Sequence, residues 1–262
     1  MKKTALILAL ILISSLFVTV YAADDGFKVY VSICDSEGKL ALALEEIKVR
    51  DADGDGKITI NDALYCAHEA KHPDGATAFK SEETQFGLSM TKLWGADQGS
   101  AFGYYLNDTM ALSLKDEIKE NDRILAFCYT DLESFSDTYS YFDKSHPITE
   151  ENQSLSLTLS TISFDADFNL VSLPLENADV LINGEKTQYK TDKNGQFTIT
   201  MDKAGEYKIS AEKSDMTLIS PISILTVEAP KKAPVTGDLG TVFFVIAVLS
   251  AATALTLKKN EK

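Results

Sequence analysis

Oxygen-bearing groups recur through residues 51–62: Asp51, Asp53 and Asp55, then the Lys57 carbonyl, Thr59 and Asp62. They occupy positions 1, 3, 5, 7, 9 and 12 of a twelve-residue loop, with Gly56 at position 6, where a sharp turn is needed. Calcium is a hard cation that takes roughly six to eight oxygens, and alternate residues of a tight loop can all point inward. Three carboxylates this close repel one another unless a cation neutralises them, so calcium is the expected cofactor. Asp62 also stands where a helix N-cap belongs, ahead of Ala63, Leu64, Tyr65, Cys66 and Ala67. Ile58 is expected to turn its side chain into the core. A second pattern overlaps the first: His68-Glu69-Ala70-Lys71-His72. On a helix its two histidines share one face, and Glu69 would stand over a zinc-bound water as a general base.

The spacing of the acidic loop resembles that of EF-hand and dockerin calcium loops, with Asp at position 12 where Glu is usual. The HEAKH run resembles the zinc signature of metalloproteases. Pro73 follows His72 at once and should end the helix at the would-be ligand. Ala78 stands where the extended zinc motif has its third histidine, and the one other histidine is His146. Histidines at a helix end also suit its C-terminal dipole. The chain is therefore expected not to be an enzyme. A zinc hydrolase on His68, Glu69 and His72 is the lesser alternative.

The two ends of the chain say where this chemistry would operate. Met1-Lys2-Lys3 and the apolar run of residues 5–20 form a secretory signal, residues 1–22, cut before Ala23. Residues 239–257 carry no charge over 19 positions, about enough to cross a hydrocarbon core of ~30 Å as a helix. The tail of residues 258–262 is lysine-rich and expected to stay cytoplasmic. Between them, residues 229–238 form a linker ending in Pro234-Val235-Thr236-Gly237. That motif, an apolar span and a basic tail resemble the cell-wall sorting signal of Gram-positive bacteria, with Ala233 in place of the usual leucine. The resemblance implies a sortase as processing partner, cutting between Thr236 and Gly237 and joining Thr236 to peptidoglycan. The alternative is a plain membrane anchor. In both cases the body of the protein is extracellular. The net charge of −14 repels nucleic acid and anionic lipid, which sets nucleic-acid binding aside. Cys34, Cys66 and Cys128 are an odd count for an exported chain. Cys34 and Cys128 pair if their strands are neighbours; three buried thiols are the alternative.

Residues 24–148 read as a first, α+β unit. Residues 27–33 alternate as a strand, turn at Asp35-Ser36-Glu37-Gly38, and lead into a second strand. The acidic loop and its helix follow. A Gly103-Tyr104-Tyr105-Leu106-Asn107 strand and an Asp122-Arg123-Ile124 turn into a last apolar strand complete the unit. This pattern resembles the C-terminal domain of transcobalamin and intrinsic factor, which implies a β-grasp-like head and a small organic, corrinoid-like ligand. The acidic loop is not part of that family's pattern. Trp94, Phe102, Tyr104, Tyr105 and Asn107 are the candidate ligand-binding residues: aromatic rings can stack on a flat ligand and the amide can hydrogen-bond it. Tyr104 and Tyr105 must point to opposite sides of their strand, and aromatics filling a small core is the competing reading. Residues 129–142 place five aromatics among Asp, Ser and Thr, either as a binding edge or as a hairpin tying this unit to the next.

Residues 149–228 carry short alternating runs separated by Asn-Gly turn signals, which predicts an all-β sandwich. The run through Asn183-Gly184, Asp192-Lys193-Asn194-Gly195 and Ala204-Gly205-Glu206-Tyr207 resembles bacterial Ig-like and carboxypeptidase-regulatory-like domains, which implies a stalk. The expected protein is a cell-surface-anchored, calcium-stabilised binding protein whose head takes a small ligand or a host or cell-surface partner. A structural or adhesive surface module without a small-molecule ligand is the alternative.

Overall fold

The computed structural model describes residues 26–97, 99–167 and 169–230. The expected signal peptide, sorting motif with Thr236 and Gly237, membrane span and tail lie outside the described residues. Among the described residues, no helix is long and apolar enough to cross a membrane. Among the described residues the structure is mostly β, 51% strand against 8% helix, so sheet faces, not helices, supply almost all the surface that a core must cover.

The first unit runs β1 (Phe27–Cys34), β2 (Leu40–Val49), α1 (Ile60–Lys71), β3 (Lys80–Thr84), β4 (Gly87–Lys92), β5 (Phe102–Leu106), β6 (Thr109–Met110) and β7 (Arg123–Cys128). Five of these strands form one mixed sheet in the order β2-β1-β7-β5-β6. The central pair β1/β7 is parallel, and β2 and β5 flank it antiparallel. Strands β3 and β4 form a separate hairpin. Alternation along β1 sends Val29, Val31 and Ile33 to the face covered by α1. The helix answers with Ile60, Ala63, Leu64 and Ala67, spaced three or four apart and fully buried. It ends at His72, whose extended backbone leads into Pro73.

The second unit contains β8 (Thr138–Phe142), β9 (Ile148–Glu150), β10 (Ser154–Phe164), β11 (Leu170–Pro174), β12 (Asp179–Ile182), β13 (Glu185–Lys190), β14 (Gln196–Thr200), β15 (Gly205–Glu212), β16 (Leu218–Ile219) and β17 (Ser223–Glu228). One sheet has the order β11-β10-β8-β16, with β14 also paired to β10; the other has the order β13-β12-β15-β17-β9. Leu157, Leu159, Phe197 and Ile199 from the first meet Val180, Ile209, Leu225 and Val227 from the second in one core.

Strand β8 and Ile148 at the start of β9 join the sheets of this second unit, although the sequence places them in the first. The reason is visible in β8: Phe142 enters the sandwich core, whereas Tyr139 packs with Cys34, Leu125, Phe127 and Ile219. One strand thus serves two cores. A bulge opposite Ser32, where the Leu44 N–H donates to Ser32 Oγ at 3.0 Å, turns Ala43 and Leu44 onto Ile222 and Ile224. The face of the mixed sheet away from α1 is therefore covered where these contacts fall, which explains why β1 is buried on both sides near its end.

Candidate functional site

The acidic loop leaves β2 and folds on its own backbone. The Asp51 carboxylate accepts N–H groups from Gly54 at 2.7 Å, Asp55 at 3.2 Å and Gly56 at 2.9 Å. Gly56 sits at φ +87°, a conformation that favours glycine. Asp53 accepts the Asp55 N–H, and Asp55 accepts the Lys57 N–H. Asp51, Asp53 and Asp55 each bring a carboxylate oxygen within 4.8 Å of the others. Burial, with Asp62, Asp55 and Asp51 around it, pushes the Asp53 carboxyl up from its usual range. A cation would relieve that cost.

Thr59 and Asp62 are placed differently. The helix begins at Ile60, so Thr59 rather than Asp62 is its N-cap. Asp62 is fully buried; its Oδ2 accepts the Thr59 N–H at 2.9 Å and hydroxyl at 2.7 Å, and its Oδ1 accepts the Ala52 N–H at 2.8 Å. This reciprocal pair is a capping box. The Lys57 side chain turns outward to Glu117. The three carboxylates fit a hard cation, while Thr59 and Asp62, expected as closing ligands, serve as helix cap and loop clasp.

The HEAKH residues form a structural cluster. His68 is fully buried, with Nδ1 2.6 Å from the Leu64 carbonyl and Nε2 accepting the Trp94 N–H at 3.0 Å. Both nitrogens are spent, and burial pushes its pKa down to about 4. Glu69 is held by Arg50 through two bonds of 2.7 and 3.0 Å. His72 accepts the Asp74 N–H and meets the Trp94 ring edge-on at 4.6 Å. Neither the His68 nitrogens nor the Glu69 carboxylate is free to serve a metal.

Of the five expected ligand residues, the fold brings two together. Phe102 and Tyr104 line a cleft of about 240 Å³ between hairpin β3–β4 and the segment after β6. Leu88, Ser89, Met90 and Ser113 complete its lining, with Phe86 and Leu112 at its sides. Phe86 is 88% exposed and Leu112 91%, so two large apolar side chains stand in water beside an aromatic surface. Trp94 lies elsewhere, in a tight Leu93–Ala96 turn beneath α1. Tyr105 faces the other way and stacks on Tyr139 at 3.7 Å. Asn107, at φ 50°, ties its own turn together by donating to Asp122 and accepting the Arg123 N–H. Sequence reasoning missed Phe86, Leu88, Met90 and Leu112. The signal that could have found them is large apolar residues set among turn formers, as in Thr84-Gln85-Phe86-Gly87.

The cysteines are all free and buried. Cys34 pairs in register with Phe127, so it shares a face with Phe127 while Cys128 projects to the opposite one. Neighbouring strands are not enough; a bridge would have to pass through the sheet.

No protein-family model matches the chain, and no curated protein matches it. Among solved structures, the chain is similar to the N-terminal four Ig domains of Dscam1 isoform 9.44, at 8% identity over 58% of this chain and 32% of that one, TM-score 0.23. A second Dscam structure, on isoform specificity, gives 8% identity over 58% and 37%, TM-score 0.23. The D0-D1 domain of intimin gives 14% identity over 56% and 76%, TM-score 0.24. The chain spans about a third of the length of the Dscam structures.

Proposed function

We propose that this chain is a non-enzymatic, surface-displayed binding module whose head holds one face of a flat, partly apolar organic ligand, corrinoid-like in class. The observation that carries the reading is the cleft: Phe102 and Tyr104 between the solvent-exposed Phe86 and Leu112. Exposed apolar surface of this kind marks interaction sites. Its size narrows the ligand. Pockets that enclose drug-sized molecules measure ~300–1,000 Å³, and a cleft of about 240 Å³ can only cover an edge or a face.

The head in this reading is a β-grasp, supported by the parallel pair β1/β7 between antiparallel β2 and β5 with α1 across one face. The second unit is its Ig-like stalk, supported by two facing sheets around a single core. Calcium on Asp51, Asp53, Asp55 and the Lys57 carbonyl would clamp the start of α1 and neutralise the loop's carboxylates. The clamp reaches the cleft through backbone bonds: the Ile60 and Asn61 N–H groups donate to Asp116 and Leu114 at 3.1 and 2.9 Å. Export by residues 1–22 and retention by residues 239–257, with sortase transfer at Thr236, set the module outside the cell on peptidoglycan.

Isothermal titration of the full-length chain with a corrinoid tests the ligand class. Saturable heat is expected, at least tenfold weaker in Tyr104→Ala and Phe86→Ala. No heat at high concentration removes the corrinoid and leaves an adhesive or structural surface module as the better account. Mass spectrometry of wall-released protein tests the anchor, with a C-terminus at Thr236 expected.

A further inference from the structure

Strand edges expose unpaired N–H and C=O groups, and proteins commonly blunt them with charge or keep them short. Most edges here follow that rule. Strand β2 carries Glu45, Glu46 and Lys48; β3 carries Lys80, Glu82 and Glu83; β4 ends in Lys92; β13 carries Glu185, Lys186 and Lys190. Strands β6 and β16 are two residues long and β9 is three. Strand β14 is neutral but shows solvent only glutamine and threonine.

Strand β11 breaks the rule. Its sequence, Leu170-Val171-Ser172-Leu173-Pro174, has no charge, and it ends its sheet with no strand beyond it among the described residues. Leu170 is 43% exposed, Leu173 45% and Phe164, across from Leu170 on β10, 56%. The ladder fixes which backbone groups are left over. The Leu175 N–H donates to Leu159 and the Asp165 N–H to Asn169. In an antiparallel ladder bonded residues alternate, so Val171 and Leu173 face β10 while Leu170 and Ser172 point their N–H and C=O outward. Beside this edge lies a notch of about 170 Å³, lined by Asp108, Thr109, Tyr141, Ile162, Leu170, Val171 and Ser172. It has room for a side chain of an added strand.

Charge decides between occupants. The edge is neutral, but Asp165 and Asp167 stand before it and Glu176 after it. A second copy paired antiparallel would set Glu176 against the other copy's aspartates at both ends, on a chain already at −14. A strand with cationic ends meets the opposite situation. We propose that the free edge of β11 takes up an extended strand from another protein, with alternating apolar side chains and a lysine or arginine at each end. Backbone bonds to Leu170 and Ser172 supply affinity, and the notch beside Tyr141 supplies side-chain selectivity, the mode known as strand addition.

The test uses hydrogen–deuterium exchange on the full-length chain with a capped peptide, Lys-Lys-Val-Thr-Val-Thr-Val-Lys-Lys. The expected result is slowed exchange at the Leu170 and Ser172 amides, with at least tenfold weaker binding by a peptide carrying Glu in place of Lys. Ser172→Pro removes an outward N–H and leaves the β10 ladder intact, and should also weaken binding at least tenfold; because it also removes the Ser172 Oγ that accepts the Tyr141 hydroxyl at 2.8 Å, Ser172→Ala, which loses that bond alone, is the control and should bind nearly as the wild type. Should that variant unfold, Leu173→Lys adds a repelling charge at an exposed position and serves instead. Equal binding of both peptides, no slowing at these two amides, or unchanged binding by the variant overturns the proposal. Slowing that depends on protein concentration without peptide overturns it in favour of a second copy.

Discussion

Acidification from pH 7 to pH 5 should cost the first unit about 2 kcal/mol through His68 alone. The imidazole is fully buried, with one nitrogen on the Leu64 carbonyl and the other accepting from Trp94. A proton arriving at Nε2 would displace the Trp94 N–H and place a charge among Phe79, Trp94 and His72. Burial and the nearby His72 therefore depress the pKa from 6.5 to about 4. The unfolded chain titrates His68 at its ordinary value, so below pH 6.5 it binds the proton that the folded chain refuses. The His68 contribution to stability is then complete above pH 6.5, falls with pH through the window down to about 4, and is absent below it. At about 1.4 kcal/mol per pH unit the whole window is worth roughly 3 kcal/mol. Denaturant melts of the wild type and of His68→Gln at pH 7, 6 and 5 isolate the effect, since carboxylate titrations are common to both. The variant should be weaker at pH 7 by about 1 kcal/mol for its lost bond, and its deficit should shrink or reverse by pH 5. A deficit that stays constant across this range would refute the reasoning.

Other perturbations have equally direct readouts. Gly103 pairs with Phe127, and a Cβ at Gly103 would come within 2.2 Å of the Phe127 Cζ. Gly103→Ala should therefore cost about 1–3 kcal/mol by overpacking, read as a lower melting temperature. Calcium at a hundred times its Kd should add about 2.7 kcal/mol of stability by mass action. Asp53→Asn together with Asp55→Asn should remove the calcium-dependent rise in melting temperature while leaving the melting temperature in chelator within a few degrees. Burial pushes the Cys34 and Cys128 thiols up to about 12, so a thiol reagent at pH 8 should label neither in the folded chain and both in denaturant, without prior reduction.

How far the sequence could be read depended on whether the informative contact was local. The acidic loop was legible because its geometry is set by residues two to five apart, as in the bonds from Gly54, Asp55 and Gly56 to Asp51. The strand of Tyr104 and Tyr105 was legible as alternation, which gives two faces but not what covers each. Hairpin β3–β4 and the segment after β6 flank one and Tyr139 of β8 covers the other. His68 illustrates the limit more sharply. Its motif spacing implies a metal, yet the Trp94 N–H that occupies its nitrogen comes from 26 residues away. Asp62 shows the same limit: a carboxylate before an apolar run reads as an N-cap, but here it is the third helical residue of a capping box closed by Thr59.

The junction between the units bears on both candidate surfaces. The Tyr139 hydroxyl donates to Asp108 at 2.8 Å, and the same carboxylate pairs with Arg123. Asp108 lies in the turn between β5 and β6, immediately after Asn107, so a sandwich strand holds the turn of the head's sheet by its side chain. Burial, followed by the Asp108 charge, raises the Tyr139 phenol well above its usual range, which favours the protonated, donating hydroxyl. The neighbouring residue Thr109 lines the notch beside β11 with Leu170. An added strand on β11 would therefore press on the same turn that Tyr139 holds. The cleft lies on the opposite face of β5, under Tyr104. A ligand there and a strand at β11 would meet through one antiparallel pair, β5 and β6. Tyr139→Phe, which keeps the ring stack and removes the bond to Asp108, separates mechanical support from packing: loss of any mutual effect between the two surfaces with the melting temperature nearly unchanged would locate their coupling in that one hydrogen bond.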